Sequence, residues 1–270
     1  MQVLIIAGLL GYMFPFFWMV STSLKPKSEF YTYPPSLLPG HPSFGAFSSV
    51  LIGRGYITLL GNSIVICLSA VIFILALSLL IAYPLTRLSL PARVKTGILQ
   101  WILSLRFLPP IVVVVPIFAI IRTAGLYDRP VSLIFLYSAF GLPFAVWMVK
   151  GFLQEVPKEL EEAAWVDGAS RSYAFFRILL PLLAPGILAT AVISFALSWS
   201  EFLFALILTA TPRAQTFPVG VWGLVTQFQI IWNEMAAVGV ISVIVPVCLL
   251  LFGRRYVLSA LTFGVIREKS

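Results

Sequence analysis

Hydrophobic and polar positions along the chain separate into long apolar runs and shorter polar stretches between them. A bilayer core about 30 Å thick needs about 20 apolar residues per helix. Each run is too long and too continuous for an outer-membrane barrel, whose strands alternate over about ten residues. The pattern predicts an all-α polytopic membrane protein with six transmembrane helices. The predicted spans are about 3–22, 58–83, 97–121, 131–149, 182–208 and 235–253.

Composition supports this class. Of the 270 residues, 60% are hydrophobic and 10% are charged, whereas about a quarter of the residues are charged in an ordinary soluble protein. Because the spans use most of the length, we expect a single transmembrane domain over residues 1–270. The first run could be a signal peptide, but no Lys or Arg precedes it and no small-residue cleavage pattern follows. We therefore expect a retained helix.

Basic residues between the runs predict the orientation. With six spans both termini lie on one side of the membrane, and eleven Lys and Arg fall on that side against six on the other. The positive-inside rule then predicts cytoplasmic termini, with residues 254–270 as a cytoplasmic tail. Lys25 and Lys27, which follow the first span, are a local exception. The net charge of +8 is explained by these loops, so no nucleic-acid partner is expected.

The stretch from about 150 to 180 looks least like membrane. It carries half of the ten acidic residues, and under the predicted topology it is a cytoplasmic loop longer than two antiparallel helices need. A first short helix is expected to end at Gly168, because glycine accepts a left-handed backbone. Ser170 or Ser172 then caps a second helix, which is expected to stop before Pro181. The loop therefore predicts an amphipathic helix-turn-helix beneath the membrane.

Seven positions in this loop follow the spacing Glu-Ala-Ala, three residues, Gly, nine residues, Ile-x-Leu-Pro. This pattern resembles the EAA motif of the permease subunits of ATP-binding-cassette importers. Two longer stretches, 157–186 and 199–202, are similar to the MalG-type subunits of the carbohydrate-uptake branch, and the resemblance covers nearly the whole chain. One departure is Ser200, where Asn is common in that branch.

The resemblance implies half of the translocation pathway for a sugar or sugar-like solute across the bacterial plasma membrane. The implied partners are a second, MalF-like permease, two cytoplasmic ATP-binding subunits and an extracytoplasmic solute-binding protein. The loop would couple the chain to the ATPases, with Glu162 as the expected ion-pair partner and Gly168 as a turn that no bulkier residue can replace. The residues implied in this coupling are Glu162, Ala163, Ala164, Asp167, Gly168, Ile178, Leu180 and Pro181.

No catalytic chemistry is expected in the chain itself. None of its six lysines stands in a Gly-Lys-Ser/Thr sequence, so there is no Walker A loop, and ATP and Mg²⁺ are expected to bind to partner subunits. The single histidine, His41, lies in a proline-rich loop. It provides neither a Ser/His/Asp set nor a metal site.

Two charged residues fall inside the predicted spans, Arg106 and Glu201. A charge at the bilayer centre costs about 2.5–3.5 kcal/mol on insertion scales and usually faces a cavity or another charge, which favours a solute pathway or gate. Alternatively, Arg106 snorkels to the interface and Glu201 contacts the second permease. The other candidate pathway residues are Asn62, Ser198, Trp199 and Ser200.

Two other functions stay open. Within the same family, the solute could be a polyol, a glycerol phosphodiester or another small molecule, and Arg106 alone does not decide between them. From a different class, a self-sufficient secondary transporter also explains six helices with intramembrane charges. Such a transporter leaves the EAA loop unexplained and usually shows inverted repeats, none of which is visible.

Overall fold

The computed structural model describes residues 2–29, 33–224 and 231–263, and the regular secondary structure within these ranges is helical. The all-α class predicted from the sequence is confirmed. The last part of the expected tail, 264–270, lies outside the described residues. The helices are α1 (Gln2–Ser23), α2 (Gly45–Ser48), α3 (Tyr56–Arg87), α4 (Ala92–Ser104), α5 (Pro110–Thr123), α6 (Pro130–Glu155), α7 (Glu159–Val166), α8 (Arg171–Ala174), α9 (Leu180–Trp199), α10 (Leu203–Leu208), α11 (Phe217–Gly220) and α12 (Trp232–Phe263).

Three long helices form the centre of the bundle. α3 packs along α6, and α9 packs against both. Their apolar faces meet in a buried cluster that includes Ile66, Leu133 and Phe195. α12 lies along α9, and α1 packs on α12 with most of its surface exposed, as expected for a helix that faces lipid. Within the described residues, five helical runs are long and apolar enough to cross a membrane, and α4 with α5 makes a sixth if the pair counts as one span.

The third predicted span is not one helix. The sequence predicts a continuous helix over 97–121, whereas the structure has α4 and α5 at 94° to one another. The break follows from Pro109 and Pro110, since a residue before proline is driven out of the helical region and two successive prolines supply no N–H donors. Leu108 accordingly has an extended backbone, and Pro110 opens α5.

Two more predicted boundaries change. The span expected over 182–208 is interrupted after Trp199 and resumes as α10. The span expected over 235–253 instead continues as a single helix to Phe263, so the first ten residues of the predicted tail are helical. That stretch contains neither glycine nor proline after Gly253, so nothing in its sequence ends the helix.

Small residues bring the central helices close together. A Cβ added at Gly186 in α9 would lie 2.3 Å from the ring of Phe152 in α6. A Cβ added at Gly141 in α6 would lie 2.6 Å from the side chain of Ile74 in α3. Such close approach is the usual way in which helices gain packing contacts inside a membrane.

Candidate functional site

The segment between α6 and α9 folds as two short helices, as the sequence predicts. The hydroxyl of Ser170 accepts a hydrogen bond from the Tyr173 N–H at 3.2 Å, so Ser170 rather than Ser172 caps α8. The predicted stop before Pro181 is wrong. A π turn, Phe175–Leu179, carries the chain from α8 directly into α9, where Pro181 lies in the first turn and its missing N–H is tolerated.

Gly168 forms the turn between α7 and α8. Its φ is +87°, in the left-handed region that costs a residue with a Cβ about 1–2 kcal/mol. The N–H groups of Gly168 and Ala169 donate to the carbonyls of Trp165 and Ala164 at 3.1 and 2.9 Å, which satisfies the end of α7. No atom lies within 4 Å of a Cβ added at Gly168. Glycine is therefore required for its left-handed backbone conformation and not because a side chain would collide with a neighbour.

The buried face of α7 is tied to the end of α3 through Glu161. One carboxylate oxygen accepts from Arg87 Nε at 2.5 Å, and the other accepts from the Tyr83 hydroxyl at 3.2 Å. Arg87 Nη2 also donates to the Val156 carbonyl at 2.9 Å. Sequence reasoning missed this tie, because the paired residues are 74 positions apart and no local spacing links them.

The exposed face of α7 carries two of the seven EAA-motif residues, Glu162 and Ala163. Glu162, Ala163 and Asp167 are exposed, and the neighbouring Val166 is 88% exposed, whereas Ala164 is buried against the bundle. The helix and the Asp167 residue that follows it therefore present two carboxylates, a small residue and an apolar side chain at the surface. That combination suits a groove with a basic rim on another protein, since small residues allow close approach and the carboxylates meet the rim.

The remaining motif residues lie where α9 is anchored. Ile178 and Leu180 are half-buried and Pro181 is exposed. Between them, Leu179 is fully buried in a cluster that includes Val149 of α6. Leu179, the residue directly before α9, thus fixes the start of that helix to the bundle.

One cavity, open to the surface at the exposed side chain of Arg106, brings together three of the six candidate pathway residues. It has a volume of about 180 Å³ and is lined by Arg106, Ser198 and Glu201, together with Tyr137 and aromatic rings. The guanidinium of Arg106 lies 5.5 Å from the ring centroid of Phe144. The cavity therefore offers a cation, a carboxylate, hydroxyls and aromatic faces within one small volume.

Glu201 also has a structural role that the sequence did not indicate. Its carboxylate oxygens accept hydrogen bonds from the N–H groups of Phe204 at 2.9 Å and Ala205 at 3.3 Å. These bonds satisfy two N–H groups in the first turn of α10, where the predicted fifth span resumes after its interruption. The same side chain both begins a helix and lines the cavity.

The other three candidate pathway residues lie elsewhere. The side-chain amide of Asn62 donates to two carbonyls of the loop after α10, at 2.8 and 3.0 Å. Trp199 is buried and donates to the Ser242 carbonyl of α12 at 3.0 Å. The Ser200 hydroxyl donates to a carbonyl of its own helix at 3.0 Å. Each of these hydrogen bonds is made to a backbone carbonyl of the bundle, and the three side chains are not among those that line the cavity.

Two ties at the opposite end of the bundle were also missed. Arg54, just before α3, pairs with Glu234 at the start of α12 at 2.5 Å, and Ser49 donates to the same carboxylate at 2.8 Å.

Between α5 and α6, Asp128 accepts from Thr211 Oγ1 at 2.6 Å and from the N–H groups of Ala210 and Thr211 at 2.9 and 3.1 Å. Although partial burial opposes the charge, these hydrogen bonds hold the pKa of Asp128 below its usual value.

Comparison with known proteins places this architecture among transport proteins. The family described as "Binding-protein-dependent transport system inner membrane component" matches residues 74–262. The chain is 31% identical over 258 residues to the diacetylchitobiose uptake system permease protein DasC of Streptomyces coelicolor, covering 96% of this chain and 93% of that protein. It is 33% identical over 262 residues to the trehalose/maltose transport system permease protein MalG of Thermococcus litoralis, covering 94% and 91%.

The fold also matches a solved structure. A subunit of a bacterial ABC transporter involved in the import of the acidic polysaccharide alginate aligns with a TM-score of 0.77. The alignment covers 99% of this chain and 94% of that subunit at 19% identity. At that identity the likeness concerns the fold alone.

Proposed function

The chain belongs to the family of inner membrane components of binding-protein-dependent transport systems, and on that premise we propose that it forms half of the pathway of an ATP-driven importer for a sugar or sugar-like solute. The exposed face of α7 carries the proposal. It presents exposed motif side chains at the end of the bundle, while its buried face is fixed to α3. Membership of this family disfavours a self-sufficient secondary transporter.

In this proposal α7 docks into a groove on a cytoplasmic ATPase. Glu162 meets a basic group at the rim, and Ala163 lets the two backbones approach. Gly168 lets the chain turn back toward the membrane. ATP and Mg²⁺ bind to two such ATPase subunits, whose closure moves α7 as a rigid body. The anchored start of α9 and the Glu161–Arg87 pair support transmission of that movement into the bundle.

The solute pathway of the proposal passes the cavity lined by Arg106, Ser198 and Glu201. Arg106 and Glu201 share one small volume, and their formal charges cancel. A neutral molecule rich in hydroxyls suits it better than an anion, because hydroxyls can both donate to the carboxylate and accept from the guanidinium. Aromatic rings such as Phe144 add an apolar surface for the face of a sugar ring.

The named relatives support a saccharide as solute. DasC belongs to a diacetylchitobiose uptake system and the archaeal MalG to a trehalose/maltose transport system. A second, MalF-like permease completes the pathway, and an extracytoplasmic binding protein delivers the solute. The charge distribution of the loops supports an orientation with both termini in the cytoplasm, which places α7 on the ATPase side.

Affinity purification of the chain from its native host in mild detergent tests the assembly. We expect a second permease and an ATPase to co-purify with ATP hydrolysis in the eluate. Recovery of the chain alone, unchanged under gentler extraction, would refute the half-pathway.

The binding protein encoded with these partners is then titrated with neutral disaccharides and with a glycerol phosphodiester. Tighter binding of the phosphodiester would refute the sugar assignment while leaving the importer intact.

A further inference from the structure

A groove of about 340 Å³ lies between the end of α3 and the segment formed by α8 and the π turn. It is separate from the cavity lined by Arg106 and Glu201 and from the exposed face of α7. Its walls are mostly apolar, with Leu80 from α3 and Phe176 from the π turn at one end. These two side chains are 69% and 61% exposed, so this end of the groove opens to the surroundings of the bundle rather than to its core.

The other end of the groove is polar and positively charged. Arg171 and Ser172 line it, and both side chains are exposed. In the part of the chain that the structure describes, the ion pairs join Arg54 to Glu234 and Arg87 to Glu161, so no carboxylate pairs with Arg171. Its guanidinium lies 5.5 Å from the ring centroid of Trp165, which orients the charge without neutralising it.

We propose that this groove binds an anionic phospholipid, with the acyl chain against Leu80 and Phe176 and the headgroup phosphate at Arg171. The groove sits at the end of the 32-residue α3, where an apolar span gives way to the polar loop. A phospholipid has the same succession of apolar chain and charged headgroup. A basic pocket between helices at a membrane surface is a known type of anionic-lipid site.

Tyr83 connects the groove to the tie that holds α7. Its ring lines the groove and meets the ring of Phe175 edge-on, with centroids 5.2 Å apart. Its hydroxyl donates to Glu161 on the other side. A lipid in the groove therefore packs against a residue that positions α7, so bound lipid restrains the orientation of α7 relative to α3.

The test compares the phospholipid retained by the wild type, Arg171→Gln and Arg177→Gln. Each form, together with its native partners, is exchanged into vesicles of mixed phosphatidylglycerol and phosphatidylcholine and is then purified in mild detergent. Arg171→Gln removes the charge at the groove. Arg177→Gln is the matched control, because Arg177 is also exposed and close in sequence but does not line the groove. Since a basic group near a membrane surface contributes about fivefold in anionic-lipid binding, we expect about fivefold less retained phosphatidylglycerol for Arg171→Gln alone.

An equal loss of retained phosphatidylglycerol in both variants, or a loss in neither, would overturn the proposal.

A second measurement maps the contact in the wild-type complex with diazirine-bearing lipids. The phosphatidylglycerol probe is expected to label peptides that contain Leu80 and Phe176, in excess over the phosphatidylcholine probe. Equal labelling by the two probes would show an ordinary lipid-facing surface, and absence of labelling would show that a protein subunit covers the groove. Either result rejects the anionic-lipid site.

Discussion

The guanidinium of Arg87 and the carboxylate of Glu161 meet at 2.5 Å, with only 6% and 2% of their side chains exposed. Two charges removed from water are stable only while they satisfy one another. The Tyr83 hydroxyl and the Val156 carbonyl complete their hydrogen bonds. The pair therefore fixes α7 to α3 in one arrangement, and this fixed arrangement leads to the first prediction.

Glu161→Ala should destabilise the protein by about 3–5 kcal/mol, because Arg87 is left buried without its partner. Exchanging both residues for Met should restore much of the loss, since no buried charge then remains. Thermal unfolding in detergent at fixed pH measures both effects. Glu162→Ala, one position away and exposed, serves as the control and should leave the midpoint unchanged. Equal destabilisation by the two single substitutions would contradict a buried tie.

Glu162→Ala should reduce ATPase recovery with the chain, and Glu162→Asp should keep part of it. Loss of a carboxylate from a charged contact at an interface costs about 2–5 kcal/mol of binding when the contact is buried there. Quantitative co-purification measures this effect, while the amount of chain in the membrane reports on folding. Undiminished ATPase recovery would remove Glu162 from the main contacts.

Substitutions of Gly168 should follow backbone preference rather than side-chain size. Gly168→Asn should be milder than Gly168→Ala, because Asn enters the left-handed region more readily, and Gly168→Val should be the most damaging. Solute uptake, normalised to membrane-inserted protein, provides the comparison. An order set by volume alone, with Ala milder than Asn, would show that a crowded interface rather than the turn controls this position.

Arg106→Gln should raise the solute concentration needed for half-maximal uptake tenfold or more, since a hydrogen bond to a charged group contributes about 1.5–3 kcal/mol and about 1.4 kcal/mol is a factor of ten. Glu201→Gln keeps one of the two acceptor oxygens that face the N–H groups of Phe204 and Ala205, so it should impair uptake with a smaller effect on stability than Glu201→Ala. Ser200→Ala is the matched control, because that hydroxyl bonds only within its own helix. Normal uptake by both cavity variants would exclude the cavity from the pathway.

Asp128 should contribute stability that depends on pH. Its pKa is lowered in the folded protein, so the contribution is complete above the ordinary aspartate value of about 4 and is lost as the pH falls through the lowered folded value. Asp128→Asn should therefore be less stable than the wild type at neutral pH, and the difference should shrink in acid. Unfolding midpoints of both proteins over an acidic pH series check this. A difference that stays constant with pH would assign the effect to shape rather than charge.

The sequence predicted the class of fold and the course of the loop, because both depend on local signals. Long apolar runs identify helices, and the Gly168 turn and the Ser170 cap each act over a few residues. The third span shows where such reasoning stops. Pro109 and Pro110 were visible in the sequence, but hydropathy alone treats them as part of an apolar run. Their effect on the backbone decides the 94° bend.

The site was predicted only in part, because its ties join distant parts of the chain. Glu161 was one of several acidic residues in the loop, and only the fold brings it to Arg87. Of the polar groups named in the spans, Arg106, Ser198 and Glu201 share the cavity, whereas Asn62 and Trp199 are used in helix-to-loop and helix-to-helix hydrogen bonds. A single sequence does not distinguish these uses of a polar side chain.

α3 is held at both ends by charge. Arg54 precedes it and pairs with Glu234, and Arg87 ends it and pairs with Glu161. At 1.5 Å per residue its 32 residues extend about 48 Å, so one stiff rod links two ion pairs on opposite sides of a bilayer. Thermodynamic linkage makes such a connection reciprocal. Any free energy by which an event at the Glu161 pair alters the Glu234 pair is therefore returned, in equal amount, when an event at Glu234 acts on α7.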